Sequence, residues 1–174
     1  MRRAVSVVFQ VQTSRRMFTT DQRTAKIARI AACPPALRAA VEDLGDDQLD
    51  TPYRDGGWTV RQVVHHLADS HVNAYLRFRW VVAEENTVIK TYDQDVWASF
   101  DDMKMPIAPS LTILDGLHER WVYFLRSLPD TAWSKKATHP ERGEITLDDL
   151  LEIYSDHGDN HIRQITDLRE RRGW

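Results

Sequence analysis

Two short stretches hold five of the chain's seven histidines: VVHHLADSH at 63–71 and SDHGDNH at 155–161. Imidazole is the side chain that changes charge near neutral pH and the commonest protein ligand for transition metals. His157 and His161 are four residues apart, so on a helix their Cβ atoms stack about 6 Å apart and both rings can reach one ion. They fall on the same face as Leu147, Leu150, Leu151, Tyr154, Ile165 and Leu168. Two imidazoles turned into a core need partners for their ring nitrogens, and a shared divalent metal supplies one to each.

The pattern excludes two familiar metal chemistries. A zincin protease places a glutamate base directly after the first histidine, whereas Gly158, Asp159 and Asn160 stand between the two here. Asp156 and Asp159 project away from the histidine face. A carboxylate-bridged di-iron bundle needs Glu-x-x-His, which the chain lacks. The pair needs at least one further ligand, for which His66, His71 and His118 are the geometric candidates.

On a helical projection starting at Val60, residues Val63, Val64, Leu67, Ala74, Tyr75, Phe78, Val81 and Val82 share a core face with His71 at its centre. His66 lies on the flank, in a polar stripe with Gln62, Ser70, Asn73 and Arg77. Such a stripe is either the solvent boundary or the wall of a wet cavity. His65 points to the far side and reads as a surface residue, and His139, in THPERGE, reads as a loop histidine. His118 sits on the apolar side of its own helix.

Four amphipathic segments position these residues. The first follows Pro34-Pro35 and runs to about Leu44. After the turn cluster TPYRDGG, a second opens at Thr59 with Gln62 at capping-box spacing and runs to about Glu85. A third begins near Ser110 and stops at Pro129. The fourth opens at Thr146, again with an acidic residue three positions on, and Gly173 ends it. No convincing strand pattern appears, so the expected fold is all-α, a four-helix bundle. The connection between helices two and three, about 24 residues, is long for a bundle. It suits a crossover, a lid or a dimer contact, and DVWASFDD within it could form a short helix.

Composition narrows the class. The chain has 174 residues and a formal net charge of -3, with both signs interspersed. It therefore shows no footprint for nucleic acid or an anionic membrane, and no apolar run approaches the ~20 residues of a spanning helix. One cysteine, Cys33, fits a reducing cytoplasm. MRRAVSVVFQVQ imitates a signal peptide but is interrupted by glutamines, and the lipoprotein-like IAAC lacks an apolar segment before it. Residues 1–33 read as a poorly ordered or loosely docked extension, with Met17 as an alternative start, and 34–174 as the folded domain.

GGWTVRQVVHHLADSH at 56–71 and DHGDNHIRQI at 156–165 resemble the YfiT-type branch of the DinB superfamily. YRDGGW, YDQDVW, LHERW and THPERGEITL fall around them in the order that branch shows, so the resemblance covers roughly residues 37–174. It implies an up-down-down-up four-helix bundle, with the long connection as crossover, and often a homodimer. It also implies one divalent metal per chain on three histidines: the one directly before Leu-Ala-Asp, which is His66, and the pair His157 and His161. Zn²⁺ is the first expectation, with Ni²⁺ or another first-row ion second, because imidazole suits several.

Three neutral imidazoles leave a coordination position open, as in catalytic sites. Members of the family then imply two activities on small molecules. One is transfer of a low-molecular-weight thiol such as bacillithiol to an electrophile; the other is metal-dependent hydrolysis. The absence of an acidic residue beside the ligands favours the transferase, although Asp69 or Asp93 could supply a base. A third reading is a non-catalytic, metal-stabilised binding bundle. Trp58, Asn73, Arg77, Tyr92 and Trp97 are candidate pocket residues.

Overall fold

The first helix begins well before Pro34. The computed structural model of the chain describes residues 17–174; the stretch MRRAVSVVFQVQ lies outside the described residues. Thr19 caps α1 (Thr20–Val41) through a reciprocal box with Gln22. Ile27, Ile30, Cys33, Leu37 and Val41 then recur at helical spacing, all buried. The expected boundary at residue 33 thus falls inside a packed helix. Its N-terminal turn is fixed by a buried pair, Arg23 Nε to Asp148 Oδ1 at 2.8 Å and Nη2 to Oδ2 at 2.9 Å. Pro34 and Pro35 sit in the helix interior, a position that ordinarily costs about 3 kcal/mol because an amide donor is lost.

After the single turn α2 (Asp46–Leu49), the long helix α3 (Val60–Ala83) opens on the Thr59–Gln62 capping box. The crossover contains the short helix α4 (Gln94–Ala98) and a 3-10 turn at Asp101–Lys104, and leads into α5 (Ala108–Arg126). Helix α6 (Leu147–Arg172) starts at the Thr146–Asp149 box and ends on Gly173, whose left-handed φ of 67° suits a residue without Cβ. Between α5 and α6 lies a two-stranded antiparallel hairpin, β1 (Lys136–His139) and β2 (Gly143–Thr146). It is missing from the helix-only expectation because each strand is only four residues long.

Side-chain pairings give the helix directions. Arg23 meets Asp148, Arg29 meets Asp159, and Arg169 reaches the Ala40 carbonyl, so α1 and α6 run parallel. His65 meets Ser110 and His71 meets His118, so α3 and α5 are parallel as well. His71 with His157 and Arg77 with Tyr154 make α3 and α6 antiparallel. The result is the expected up-down-down-up order. Two parallel consecutive helices require a connection that returns along the bundle, which accounts for the long crossover.

One apolar layer holds Ile30, Phe78, Trp121, Leu147 and Leu151; the other holds Leu37, Val64, Leu67, Leu114 and Ile165. Along each of the four long helices, a Cys or His falls between the two layers: Cys33, His71, His118 and His157. No described helix is long and apolar enough to cross a membrane.

Candidate metal centre

His66 projects from the first half of α3 toward α6, where His157 and His161 share one face. His66 Nε2 lies 3.4 Å from His157 Nε2. One potential ligand atom from each of the three rings falls within 4.8 Å of the other two. Two donors bound 2.0–2.1 Å from a tetrahedral cation stand about 3.3–3.4 Å apart, so the His66–His157 spacing fits a shared ion. His161 Nδ1 donates to Gln164 Oε1 at 2.9 Å, leaving Nε2 for a ligand.

Burial keeps these rings neutral. Desolvation, followed by the neighbouring His161, lowers His66 to about 3. Desolvation leads for the other two also: His157 is held well below the ordinary range and His161 is lowered. Neutral imidazoles are what a cation requires.

Trp58 walls the centre. Its ring is 4.6 Å from His66 and lies nearly parallel to His161 at 6.3 Å. Trp58 Nε1 donates to Asp95 Oδ1 at 3.1 Å, tying the wall to the crossover. Gln62 Nε2 reaches the Ala98 carbonyl from the same side.

Beside His157 opens a cavity of about 200 Å³, lined in part by Ser70, Arg77, Tyr92, His139, Glu141 and Arg142. Ser70 and Arg77 belong to the polar stripe of α3, so part of that stripe is a cavity wall rather than a solvent boundary. The crossover and the hairpin form the opposite side and pair with one another: Ile89 N donates to the Thr138 carbonyl at 2.9 Å, and Thr138 N to Thr87 at 2.9 Å. Arg77 is held by neutral acceptors, the Tyr154 hydroxyl and the Lys90 carbonyl. The Tyr92 hydroxyl is buried beside Ser70 without a well-formed hydrogen bond.

Of the other histidines, His71 is central in the core, as the projection indicated. It bonds His118 Nε2 through Nδ1 at 2.8 Å and His157 Nδ1 through Nε2 at 3.2 Å. His118 Nδ1 donates to the Ile30 carbonyl at 2.7 Å. Cys33, His71 and His118 form a second close group of possible ligands. The Cys33 thiol is pushed up to about 12, by burial first and Asp159 second, so it stays protonated.

His65 corrects the surface reading. It is buried, with Nε2 on the Met105 carbonyl at 3.0 Å and Nδ1 on Ser110 Oγ at 2.7 Å. The crossover's return into α5 covers that face of α3, which a projection of one helix cannot show. His139, read as a loop residue, closes β1 and lines the cavity.

Tyr92 and Arg77 reach the cavity, while Trp97 packs on Tyr92 with ring centroids 4.3 Å apart. Asn73 instead bonds the Asp69 carbonyl of its own helix. Neither suggested base is at the centre. Asp93 Oδ1 caps α4 by accepting from Asp95 N and Val96 N. Asp69 is half-buried and its carboxyl is raised by desolvation and by Asp102, with His65 offsetting only part of the rise. Asp156 and Asp159 both turn outward to Arg29.

Comparison with known proteins agrees with this architecture. The model of the DinB superfamily matches residues 29–165. The chain is 49% identical over 148 residues to a Bacillus mycoides protein provisionally named a metal-dependent hydrolase, covering 85% of this chain and 86% of that one. An Oceanobacillus iheyensis protein with the same provisional name is 47% identical over 148 residues, with the same coverage. The structure of YfiT from Bacillus subtilis, described as a provisional metal-dependent hydrolase with an unusual four-helix bundle topology, superposes with a TM-score of 0.89. It is 44% identical, over 92% of this chain and 93% of that chain. With the helix order and the histidine cluster, these matches make the chain a member of the DinB superfamily, in its YfiT-type branch.

Proposed function

We propose that the chain is a metal-dependent enzyme in which His66, His157 and His161 hold one divalent cation, and that it transfers a low-molecular-weight thiol to a small electrophile. The observation that carries this reading is the convergence of three neutral imidazoles, one of which, His157, lines the adjoining cavity, with no buried carboxylate placed as a base among the described residues. A cation on such ligands lowers the pKa of a bound thiol or water and so supplies a nucleophile at neutral pH. In the net reaction the thiol sulfur forms a bond to the electrophilic carbon, the leaving group departs with its bonding pair, and the thiol proton passes to water.

The remaining residues position and enclose. Arg77 and Arg142 give the cavity positive charge, and Tyr92 offers an unmet hydroxyl, a set that suits a carboxylate on either reactant. His139 serves as a donor, because its Nδ1 accepts from Glu141 N at 3.2 Å, which leaves the proton on Nε2. Trp58 and the crossover shield the imidazoles from water.

Hydrolysis is the second reading, favoured by the names of the relatives and by Glu141, the carboxylate that lines the cavity. The two are separated by assaying Zn- or Ni-loaded protein for conjugation of a thiol to a haloaromatic electrophile and for cleavage of activated esters and amides. The transferase reading expects thiol-dependent conjugation that His66→Ala abolishes together with metal binding. Ester or amide cleavage without thiol, lost in Glu141→Gln, would establish the hydrolase instead.

A further inference from the structure

Pro34 has no amide hydrogen, so the Ile30 carbonyl lacks the donor that a regular helix would place on it. The His118 ring fills that position at 2.7 Å. A carbonyl only accepts, which puts a proton on His118 Nδ1. His118 is 2% exposed, and its other ring nitrogen faces an imidazole, so the neutral ring presents a lone pair at Nε2. His71 Nδ1 must then donate across the 2.8 Å contact, leaving a lone pair on His71 Nε2. That atom lies 3.2 Å from His157 Nδ1, so His157 donates to it and keeps its own Nε2 lone pair free. Nε2 is the atom that faces His66. Each contact has one direction once the carbonyl sets the first.

We infer that His118 and His71 are positioning residues that lock His157 as the Nδ1–H tautomer and aim its Nε2 lone pair at the cation. The inference rests on the three-histidine reading of the metal site and goes beyond its ligand set. An outer partner that fixes a ligand's tautomer is a general feature of metal-binding histidines; here it is two further imidazoles ending on a carbonyl. The chain also opposes a second ion on Cys33, His71 and His118, since the lone pairs that ion would need are already accepting hydrogen bonds. The protonated thiol of Cys33 fits the same conclusion.

Long-range ¹H–¹⁵N spectra of the metal-free protein read the tautomers directly. The expected result is Nδ1–H at His118, His71 and His157; an Nε2–H form at His157 would overturn the inference whatever the metal does. His118→Phe removes the chain's anchor and is expected to mix the His157 tautomers and weaken Zn²⁺ binding about tenfold to a hundredfold in chelator competition. His118→Gln can donate to Ile30 and accept from His71, and should restore affinity to within a few-fold of the parent. Unchanged Zn²⁺ affinity in a folded His118→Phe protein would refute the role. If that variant does not fold, the wild-type spectrum still decides. A second Zn²⁺ per chain that Cys33→Ala removes would also overturn it. Failure of the underlying metal reading looks different: no Zn²⁺ bound by the wild type, with tautomers as expected.

Discussion

The carbonyl of Ile30 and the ring of His118 are joined by a 2.7 Å hydrogen bond that exists because the residue four positions after Ile30 is proline. A defect in one helix becomes the fixed end of a histidine chain reaching the candidate metal centre. The cost of a proline inside α1 is offset by a side chain from α5, and the two helices are thereby set in register at the polar layer.

Metal removal should leave the bundle standing. Two apolar layers flank the histidines and hold the helices without them. EDTA treatment is expected to lower Tm by several degrees while retaining helical circular dichroism, the behaviour of a catalytic site. Collapse of the helical signal on chelation would favour the structural bundle. His66→Ala should lose the metal yet remain folded.

Acid should weaken the metal-free protein. His66, His71, His118, His157 and His161 all lie below their ordinary value in the folded state, each chiefly through desolvation. The unfolded chain takes up protons as pH falls through about 6.5, whereas the folded chain resists them. Stability is therefore complete above that pH and lost progressively below it, at up to about 1.4 kcal/mol per pH unit for each ring that stays neutral. Urea midpoints between pH 7.5 and 5 test the sign; a flat profile would contradict it.

Gly158 lets α1 approach α6 beside His157. A Cβ there would lie 2.7 Å from Cys33 Sγ and 3.3 Å from its Cβ. Gly158→Ala is expected to destabilise by about 1–3 kcal/mol and to weaken metal binding by displacing His157. Adding Cys33→Ala should return part of the stability, which a double-mutant cycle measures.

The start of α1 depends on Asp148, which accepts both Arg23 bonds and the Phe18 amide. Asp148→Ala leaves the Arg23 guanidinium buried beside an apolar group and should cost about 3–5 kcal/mol. A chain begun at residue 34 loses Ile27, Ile30 and the carbonyl at the end of the histidine chain. It should fail to fold or to bind metal, whereas independence from residues 17–33 would restore the reading of that stretch as a loose extension.

Period and spacing by themselves determined three of the four long helices, their caps at Thr59 and Thr146, and the shared face of His157 and His161. These features are local, because residues three and four apart meet on any helix. Tertiary structure decided what lies between helices. The projection of α3 put His71 at the centre of the core face and His66 on its flank. The family resemblance, not the projection, pointed to His66, and the packing of α6 brings His66 to the cluster and sets His71 behind His157. Pro34-Pro35 read as the beginning of a helix because the partner for Ile30 is 88 residues away in sequence. His65 read as exposed because the segment that covers it returns from a crossover. In each case the missing information was the identity of a neighbour on another element, which no periodicity within one segment can contain.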